Sequence, residues 1–147
     1  MAEKKLKNIF IDGAIAPSFI GESIAKHSTK TDIGGHSIFL GQVRADIIEG
    51  KQMKAIEFTA YPEMANEMVY NIREETFARY PITCMHIYHS LGNIKAGEIC
   101  FFVFTSSAHR QAATDACNEV VERIKKEIPI WGKEVFEDET YQWKENM

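Results

Sequence analysis

The chain of 147 residues is 45% hydrophobic and 26% charged, a composition that predicts one globular domain over residues 1–147. Its net charge of -4 and the lack of a long basic run argue against general nucleic-acid binding and favour a local basic pocket. No segment resembles a secretory signal or a membrane span, so we expect a cytoplasmic protein with no membrane partner.

The cysteines and histidines give no sign of a disulfide or a metal site. The three cysteines are widely spaced and flanked by apolar residues, which predicts buried free thiols. They are Cys84, Cys100 and Cys117. The histidines that lack metal-ligand spacing are His27, His36, His86 and His89. We therefore expect no metal ion and no other cofactor.

Apolar periodicity predicts the elements of the first half of the chain. Residues 7–15 alternate as a strand, and residues 17–28 have a helical pattern. Residues 36–44 form a further strand, and residues 49–51 predict a hairpin turn into a strand over 53–60.

Two long amphipathic helices dominate the second half, over residues 62–80 and 108–127. The inward positions of the later helix are Ala112, Ala116, Cys117, Val120, Val121 and Ile124. Strands are expected over 82–89, 98–105 and 128–136. Short links between successive strands favour an α+β sandwich with a mostly antiparallel sheet.

His109 and Arg110 stand out because they follow an apolar strand and begin the later helix. The positive end of a helix dipole disfavours cations, and a bound anion would reverse that penalty. A helix capped by the preceding hydroxyl residues, with two solvated basic side chains, is an equally good interpretation of the sequence.

Arg44 ends a strand in which Gly41 would let a ligand or another backbone approach closely. Its planar guanidinium suits a phosphate or a carboxylate. A solvated arginine before a turn is the simpler alternative, so Arg44 is a candidate anion ligand and no more.

Lys125 and Lys133 are the candidate catalytic amines. Lys125 follows the inward Ile124, so we expect it to be partly enclosed, and a desolvated lysine loses its proton more easily. Lys133 stands close to Trp131, which would make a plausible pocket wall. A surface lysine beside a core tryptophan is the alternative.

His109 and Lys125 lie on one predicted helix, about 24 Å apart at 1.5 Å per residue. In one chain they cannot line one small pocket. The sequence therefore predicts either two sites, or a two-fold dimer in which His109 and Arg110 of one protomer complete the site at Lys125 of the other.

An ordered set of motifs runs from about residue 7 to Trp143. The motifs are Phe39-x-Gly41-x-Val43-Arg44, Glu57-x-x-Ala60-Tyr61-x-x-Met64-Ala65, His89-x-x-Gly92 with Gly97-Glu98, Ser107-Ala108-His109-Arg110 and Lys125-x-x-x-Pro129-Ile130-Trp131-x-Lys133-Glu134. Each motif alone is weak, but the set resembles the large, catalytic subunit of molybdopterin synthase, the MoaE family.

The resemblance implies a hammerhead-type α+β fold and a central dimer of large subunits. A small ubiquitin-like subunit would dock at each end, giving a heterotetramer, and insert its C-terminal Gly-Gly tail as a thiocarboxylate. Sulfur would pass in two rounds to cyclic pyranopterin monophosphate, giving molybdopterin, so the chain would be a sulfurtransferase subunit in molybdenum cofactor biosynthesis. The resemblance also implies that Arg44, His109 and Arg110 bind the substrate anion and that Lys125 is catalytic.

Two positions depart from the family pattern. Many relatives have a lysine where this chain has Gly132, and Lys133 would reach the same side only if the strand bent there. Many relatives also have an arginine where Ser90 stands. Two other functions remain open: a domain that senses a phosphorylated metabolite, and a docking subunit whose activity lies in another chain.

Overall fold

The computed structural model describes residues 6–144, which contain three helices and eight strands. The helices are α1 (Pro17–Ala25), α2 (Pro62–Arg79) and α3 (Arg110–Glu127). The strands are β1 (Phe10–Asp12), β2 (Gly35–Gln42), β3 (Ile47–Ile48), β4 (Lys51–Ala60), β5 (Ile82–Lys95), β6 (Ile99–Ser107), β7 (Ile130–Phe136) and β8 (Tyr141–Trp143).

The strands form one mostly antiparallel sheet in the order β2-β6-β5-β4-β7-β8. β1 pairs in parallel with β5, and β3 pairs with β4. β5 joins the two halves of the sheet because its first part pairs with β6 and its last part pairs with β4. The predicted α+β class with a mostly antiparallel sheet is confirmed.

The two faces of the sheet bury separate apolar clusters. Val103 packs with residues of α2 and α3, whereas its neighbours Phe102 and Phe104 pack with Ile15 and Ile20 at α1. Successive side chains on a strand alternate between faces, so α1 lies on one face and the two long helices lie on the other. The two faces of the sheet are therefore lined by separate sets of side chains.

The predicted helices are confirmed, with one shift in the buried stripe of α3. Ala113 is buried there in place of Ala112, because residue 113 continues the spacing of 116, 120 and 124 and residue 112 lies a third of a turn away. The three cysteines are free and buried, as predicted. Among the helices that the structure describes, none has the length and apolarity to cross a membrane.

Three strand predictions differ from the structure. The hairpin turn at Glu49 and Gly50, with φ of 51° and 79°, joins β4 to the two-residue β3 and not to the long β2, which pairs with β6. Residues 92–95, predicted as a loop, continue β5 because β4 provides their pairing partner. The strand expected over 7–15 shortens to β1, and β8 was not predicted.

Candidate functional site

A cavity of about 130 Å³ lies where the end of α3 meets β2, β6 and β7. Gly41 and Lys125, both singled out from the sequence, line this cavity. Its other polar lining residues include His89, Cys100 and Lys144. The cavity is therefore an amine-lined pocket with a largely buried inner wall.

Gly41 keeps the wall of the cavity thin. A Cβ atom at this position would lie 3.0 Å from Cβ of Phe101 on the paired strand β6, which is closer than such contacts normally allow. The close approach predicted for Gly41 is thus made by the neighbouring strand. Any larger residue would push β2 away from β6 at the cavity.

Lys125 lies in the last turn of α3, with Nζ 5.8 Å from the centre of the Phe39 ring. Lys125 is exposed in the single chain, so the prediction that this lysine is partly enclosed is wrong for the isolated chain. The helix ends two residues later, and its last turn therefore reaches the rim of the cavity. Lys125 supplies positive charge at the entrance and not a buried amine.

Lys144 brings a second amine to the cavity. It follows β8, and its backbone N–H donates to the carbonyl oxygen of Gly132 at 2.8 Å. A Cβ atom built on Gly132 would lie 3.6 Å from Cβ of Lys144 and 3.0 Å from Cγ2 of Ile56. Lys144 therefore lies where it would contact a side chain at position 132.

Lys133 does not line the cavity. Its Nζ lies 3.6 Å from Oε2 of Glu57 and 4.5 Å from the centre of the Tyr141 ring. Strand β7 keeps its register with β4 through Gly132, so the bend that would turn Lys133 inward is absent. The alternation of side chains places residue 132 at the cavity and residue 133 on the opposite face.

His89 is a buried imidazole in the cavity wall that the sequence analysis did not include among the site residues. Its Nδ1 lies 2.8 Å from the carbonyl oxygen of Ser90, which can only accept, so Nδ1 carries the proton. Burial, above all, lowers the pKa of His89 to about 4, and the charges of Lys144 and Lys125 add to this effect. His89 is therefore neutral near pH 7, with Nε2 as a proton acceptor.

His109 and Arg110 lie at the other end of α3, beside a second, open cavity that includes Gly34. His109 is the N-cap residue, and its side chain makes no capping hydrogen bond. Ser107 instead accepts from the N–H of Ala113 at 3.0 Å. A Cβ on Gly34 would lie 2.1 Å from the carbonyl oxygen of Ala108, so only glycine fits beneath this helix start.

The structure keeps the two groups of predicted site residues apart. α3 is continuous from Arg110 to Glu127, which places Arg110 and Lys125 about 22 Å apart along the helix axis. Arg44 follows β2 on an exposed segment, where its guanidinium lies 3.3 Å from the carboxylate of Asp46. A single chain therefore presents an amine-lined cavity at one end of α3 and a basic helix start at the other.

Comparison with known proteins identifies the family. The family model described as MoaE protein matches residues 16–127. The chain belongs to the MoaE family. It is 38% identical over 119 residues to a molybdopterin synthase catalytic subunit of Pyrococcus abyssi, covering 81% of this chain and 79% of that protein.

Other MoaE relatives are longer than this chain. Matches to the molybdopterin synthase catalytic subunits of Rattus norvegicus and Drosophila grimshawi are 33% and 37% identical and cover 77% and 78% of this chain. They span only 56% of the rat protein and 32% of the fly protein.

Solved structures share the MoaE fold. Molybdopterin synthase from Staphylococcus aureus aligns over 96% of this chain and 99% of its own, with a TM-score of 0.81 and 28% identity. A Helicobacter pylori structure, titled as a complex of subunits 1 and 2 of molybdopterin-converting factor, aligns over 92% of this chain and 88% of its own, with a TM-score of 0.78. The latter is 18% identical and supports the fold alone.

The MoaE match contains Arg44, Arg110 and Lys125 but ends before Gly132 and Lys144. Sequence reasoning missed Lys144 because no motif includes it, and its place at the cavity depends on the pairing of β8 with β7. His89 did stand in a motif, next to the unusual Ser90. Its place in that motif was the available signal.

Proposed function

We propose that this chain is the catalytic subunit of a molybdopterin synthase that transfers sulfur to cyclic pyranopterin monophosphate. The sulfur would come from the C-terminal thiocarboxylate of a small ubiquitin-like subunit. The observation that carries the proposal is the cavity lined by Lys125, Lys144 and neutral His89 in a chain of the MoaE family. The cytoplasmic location expected from the sequence belongs to the same proposal.

Lys125 has the principal catalytic role in this proposal. In each round the thiocarboxylate sulfur forms a bond to a side-chain carbon of the pterin while a carbon–oxygen bond at that carbon breaks and its oxygen leaves. Water then cleaves the acyl–sulfur bond, which leaves a carboxylate on the small subunit and the sulfur on the pterin. Both steps place negative charge beside the carbonyl group. An ammonium group at the rim of a partly enclosed cavity stabilises such charge more strongly than water does.

The second amine is assigned to Lys144 rather than Lys133. Lys144 lines the cavity with Lys125, whereas Lys133 pairs with Glu57 outside it. His89 complements the two amines because its free Nε2 can accept a hydrogen bond from water or from an ammonium group. Lys133 remains the alternative that the sequence predicted, and single variants distinguish the two lysines.

Arg44, His109 and Arg110 are proposed to hold the substrate phosphate. The continuous α3 separates the last two from Lys125 of the same chain, which supports a two-fold dimer with sites shared between protomers. One small subunit at each end of this dimer would give the predicted heterotetramer. Arg44 is exposed on the segment after β2 and free to meet such a shared site.

An aromatic surface on the face of β7 and β8 opposite the cavity is the proposed contact for the small subunit. Tyr61, Trp131 and Trp143 are exposed and line one shallow depression, and the Tyr61 and Trp131 rings meet edge to face at 5.1 Å. Exposed aromatic clusters are typical of protein interfaces. A Gly-Gly tail has no side chains, which suits the narrow cavity that Gly132 lines on the other face of β7.

Reconstitution tests the proposed function. The purified chain is mixed with a thiocarboxylated Gly-Gly-tailed small subunit and cyclic pyranopterin monophosphate, and dithiolene product is measured. Product formation that disappears in Lys125→Ala, with small-subunit affinity unchanged, supports the proposal. Equal turnover in Lys125→Ala would favour a docking subunit, and binding of the pterin phosphate with no turnover would favour a metabolite sensor.

A further inference from the structure

Two imidazoles and a thiol meet on the face of the sheet that α1 covers. His27 follows α1, and Cys84 and His86 lie on β5. Their ligand atoms all lie within 4.8 Å of one another. His27 and His86 are 59 positions apart in the sequence, so the spacing of residues gave no sign of the cluster.

The cluster is separate from the amine-lined cavity. His86 packs on Phe104, whereas His89 packs on Phe101. Phe101 and Phe104 belong to the apolar clusters on opposite faces of the sheet. The cluster therefore has no part in the function proposed above, and its test is independent of that function.

Hydrogen bonding fixes the lone pair of His27 toward the cluster. Its Nδ1 lies 2.7 Å from the carbonyl oxygen of Ser23, an atom that can only accept, so Nδ1 carries the proton. The other nitrogen, Nε2, lies 3.0 Å from Nε2 of His86. A histidine whose second N–H donates to a backbone carbonyl has the arrangement usual for metal ligands.

His86 is neutral in this environment. Burial lowers its pKa to about 4, and nearby positive charges add to the effect. These charges belong to Lys7, Arg73 and Lys30. A neutral imidazole is the form that ligates metals, so His86 has only to move its proton from Nε2, where it faces His27, to Nδ1 for an ion to bind.

We propose that His27, Cys84 and His86 form a binding site for a thiophilic d¹⁰ metal ion of the Zn²⁺ type. Zn–N bonds of 2.0–2.1 Å in a tetrahedral site place two nitrogens about 3.3 Å apart, close to the observed 3.0 Å. Zn–S bonds of 2.3 Å place sulfur about 3.6 Å from each nitrogen, so Sγ of Cys84 has to move by roughly 1 Å at most. A fourth position would be left for water.

Lys30 competes with the ion for the thiol. Its Nζ donates a hydrogen bond to Sγ of Cys84 at 3.1 Å. Lys30 is exposed and can swing into solvent when an ion takes the sulfur lone pair. Its charge opposes a bound cation, so removing it should tighten binding.

Metal binding would connect two parts of the fold. His27 stands just after α1, which contributes only Ile20 to the buried residues of its face, and the other two ligands belong to a central strand. The unfolded chain does not hold these three residues together. An ion that binds all three therefore binds only the folded chain and stabilises it by mass action.

Metal titration of the full chain tests the site. After treatment with a chelator, the chain is titrated with Co²⁺ and then Zn²⁺, and we expect one ion per chain. Tetrahedral Co²⁺ should give strong visible absorption with a thiolate charge-transfer band, and Zn²⁺ should abolish the visible bands and raise Tm. Lys30→Gln should lower the Zn²⁺ dissociation constant about threefold to tenfold, since one positive charge is removed.

Matched variants separate this site from binding elsewhere. Cys84→Ser should lose the charge-transfer band, and His86→Gln should weaken Zn²⁺ binding at least about tenfold. His36→Gln, which changes a neighbouring imidazole 6.1 Å from the His27 ring, should bind normally. The proposal is overturned if the wild-type chain shows no charge-transfer band, or if Cys84→Ser or His86→Gln binds as the wild type does.

Discussion

Lys144 donates its backbone N–H to the carbonyl oxygen of Gly132 across 2.8 Å, which brings the end of the described chain to the amine-lined cavity. The family resemblance implies a lysine at position 132, and a side chain there would meet Ile56 at 3.0 Å. The residue after β8 thus supplies an amine from a position outside the sequence motifs named above. The contributions of Lys144 and Lys133 to turnover can therefore be compared directly.

Lys144→Ala is expected to lower turnover at least about tenfold in the reconstituted reaction, because the cavity loses one of its two ammonium groups. Lys133→Ala should change turnover less than about twofold, since that lysine forms a partly exposed ion pair with Glu57. Single-turnover rates at saturating small subunit measure both. A larger loss in Lys133→Ala than in Lys144→Ala would reverse the assignment.

A rescue experiment is a second test of the amine that Lys144 brings to the cavity. Adding Gly132→Lys to Lys144→Ala returns an amine to the cavity and should recover part of the lost rate. Gly132→Ala in the same background is the matched control, because it introduces the same Cβ crowding against Ile56 without an amine. Equal rates for the two double variants would show that no amine is needed there.

The sequence was sufficient for the parts of the fold that depend on local pattern. The 3.6-residue spacing predicted α2 and α3, and alternation predicted that Lys133 and Gly132 face opposite sides of β7. The sequence pattern was not sufficient where pairing with a distant strand determines the secondary structure. Residues 92–95 became strand because β4 lies beside them, and β8 exists because β7 offers it an edge.

The candidate sites divide in the same way. Lys125 and the His109–Arg110 pair could be found because they lie at the two ends of a helix that the sequence pattern predicts. Lys144 and the imidazoles of His27 and His86 could not, because each comes together with its partners only through the tertiary fold.

Mixed dimers should reveal a shared site. Lys125→Ala and Arg110→Ala are each expected to be inactive alone, because each removes one half of every site. Random exchange of protomers should then restore about a quarter of wild-type sites, since half the dimers are mixed and each contains one intact site. Recovery is measured as turnover after the two variants are unfolded and refolded together. No recovery, with mixed dimers verified by mass spectrometry of differently tagged chains, would place both residues in one protomer's site.

The buried His89 should make stability depend on pH. Its pKa is about 4 in the folded chain and near 6.5 when unfolded, so between these values the unfolded chain binds more protons. The stability that depends on neutral His89 is therefore complete above pH 6.5 and is lost as the pH falls toward 4, by about 3 kcal/mol in total. Urea unfolding from pH 4 to 7.5, in the presence of a chelator, measures this loss.

His89→Asn is the control for this prediction, because its side-chain amide can still donate to the carbonyl of Ser90 but does not titrate. The variant should lose less stability than the wild type over the same pH range, whatever its stability at pH 7.5. Parallel pH profiles for the two proteins would contradict a depressed pKa at His89.

Replacing either of two buried serines by alanine should affect the free energy of unfolding differently. Ser90 Oγ has no hydrogen-bond partner within residues 6–144, so Ser90→Ala removes an unsatisfied polar atom and should leave the free energy of unfolding unchanged or raise it. Ser107 Oγ accepts from the N–H of Ala113 at 3.0 Å, so Ser107→Ala leaves a buried donor unpaired and should cost about 1–3 kcal/mol. Urea unfolding at pH 7.5 measures both.

The second substitution should also affect substrate binding, because Ser107 donates to the backbone oxygen of His109 and fixes the start of α3. If that helix start binds the pterin phosphate, Ser107→Ala should weaken its affinity severalfold, whereas Ser90→Ala should not. Calorimetric titration with the pterin phosphate distinguishes the two variants. Equal affinities, with the stability loss in Ser107→Ala confirmed, would argue that the helix start is capped for stability and takes no part in anion binding.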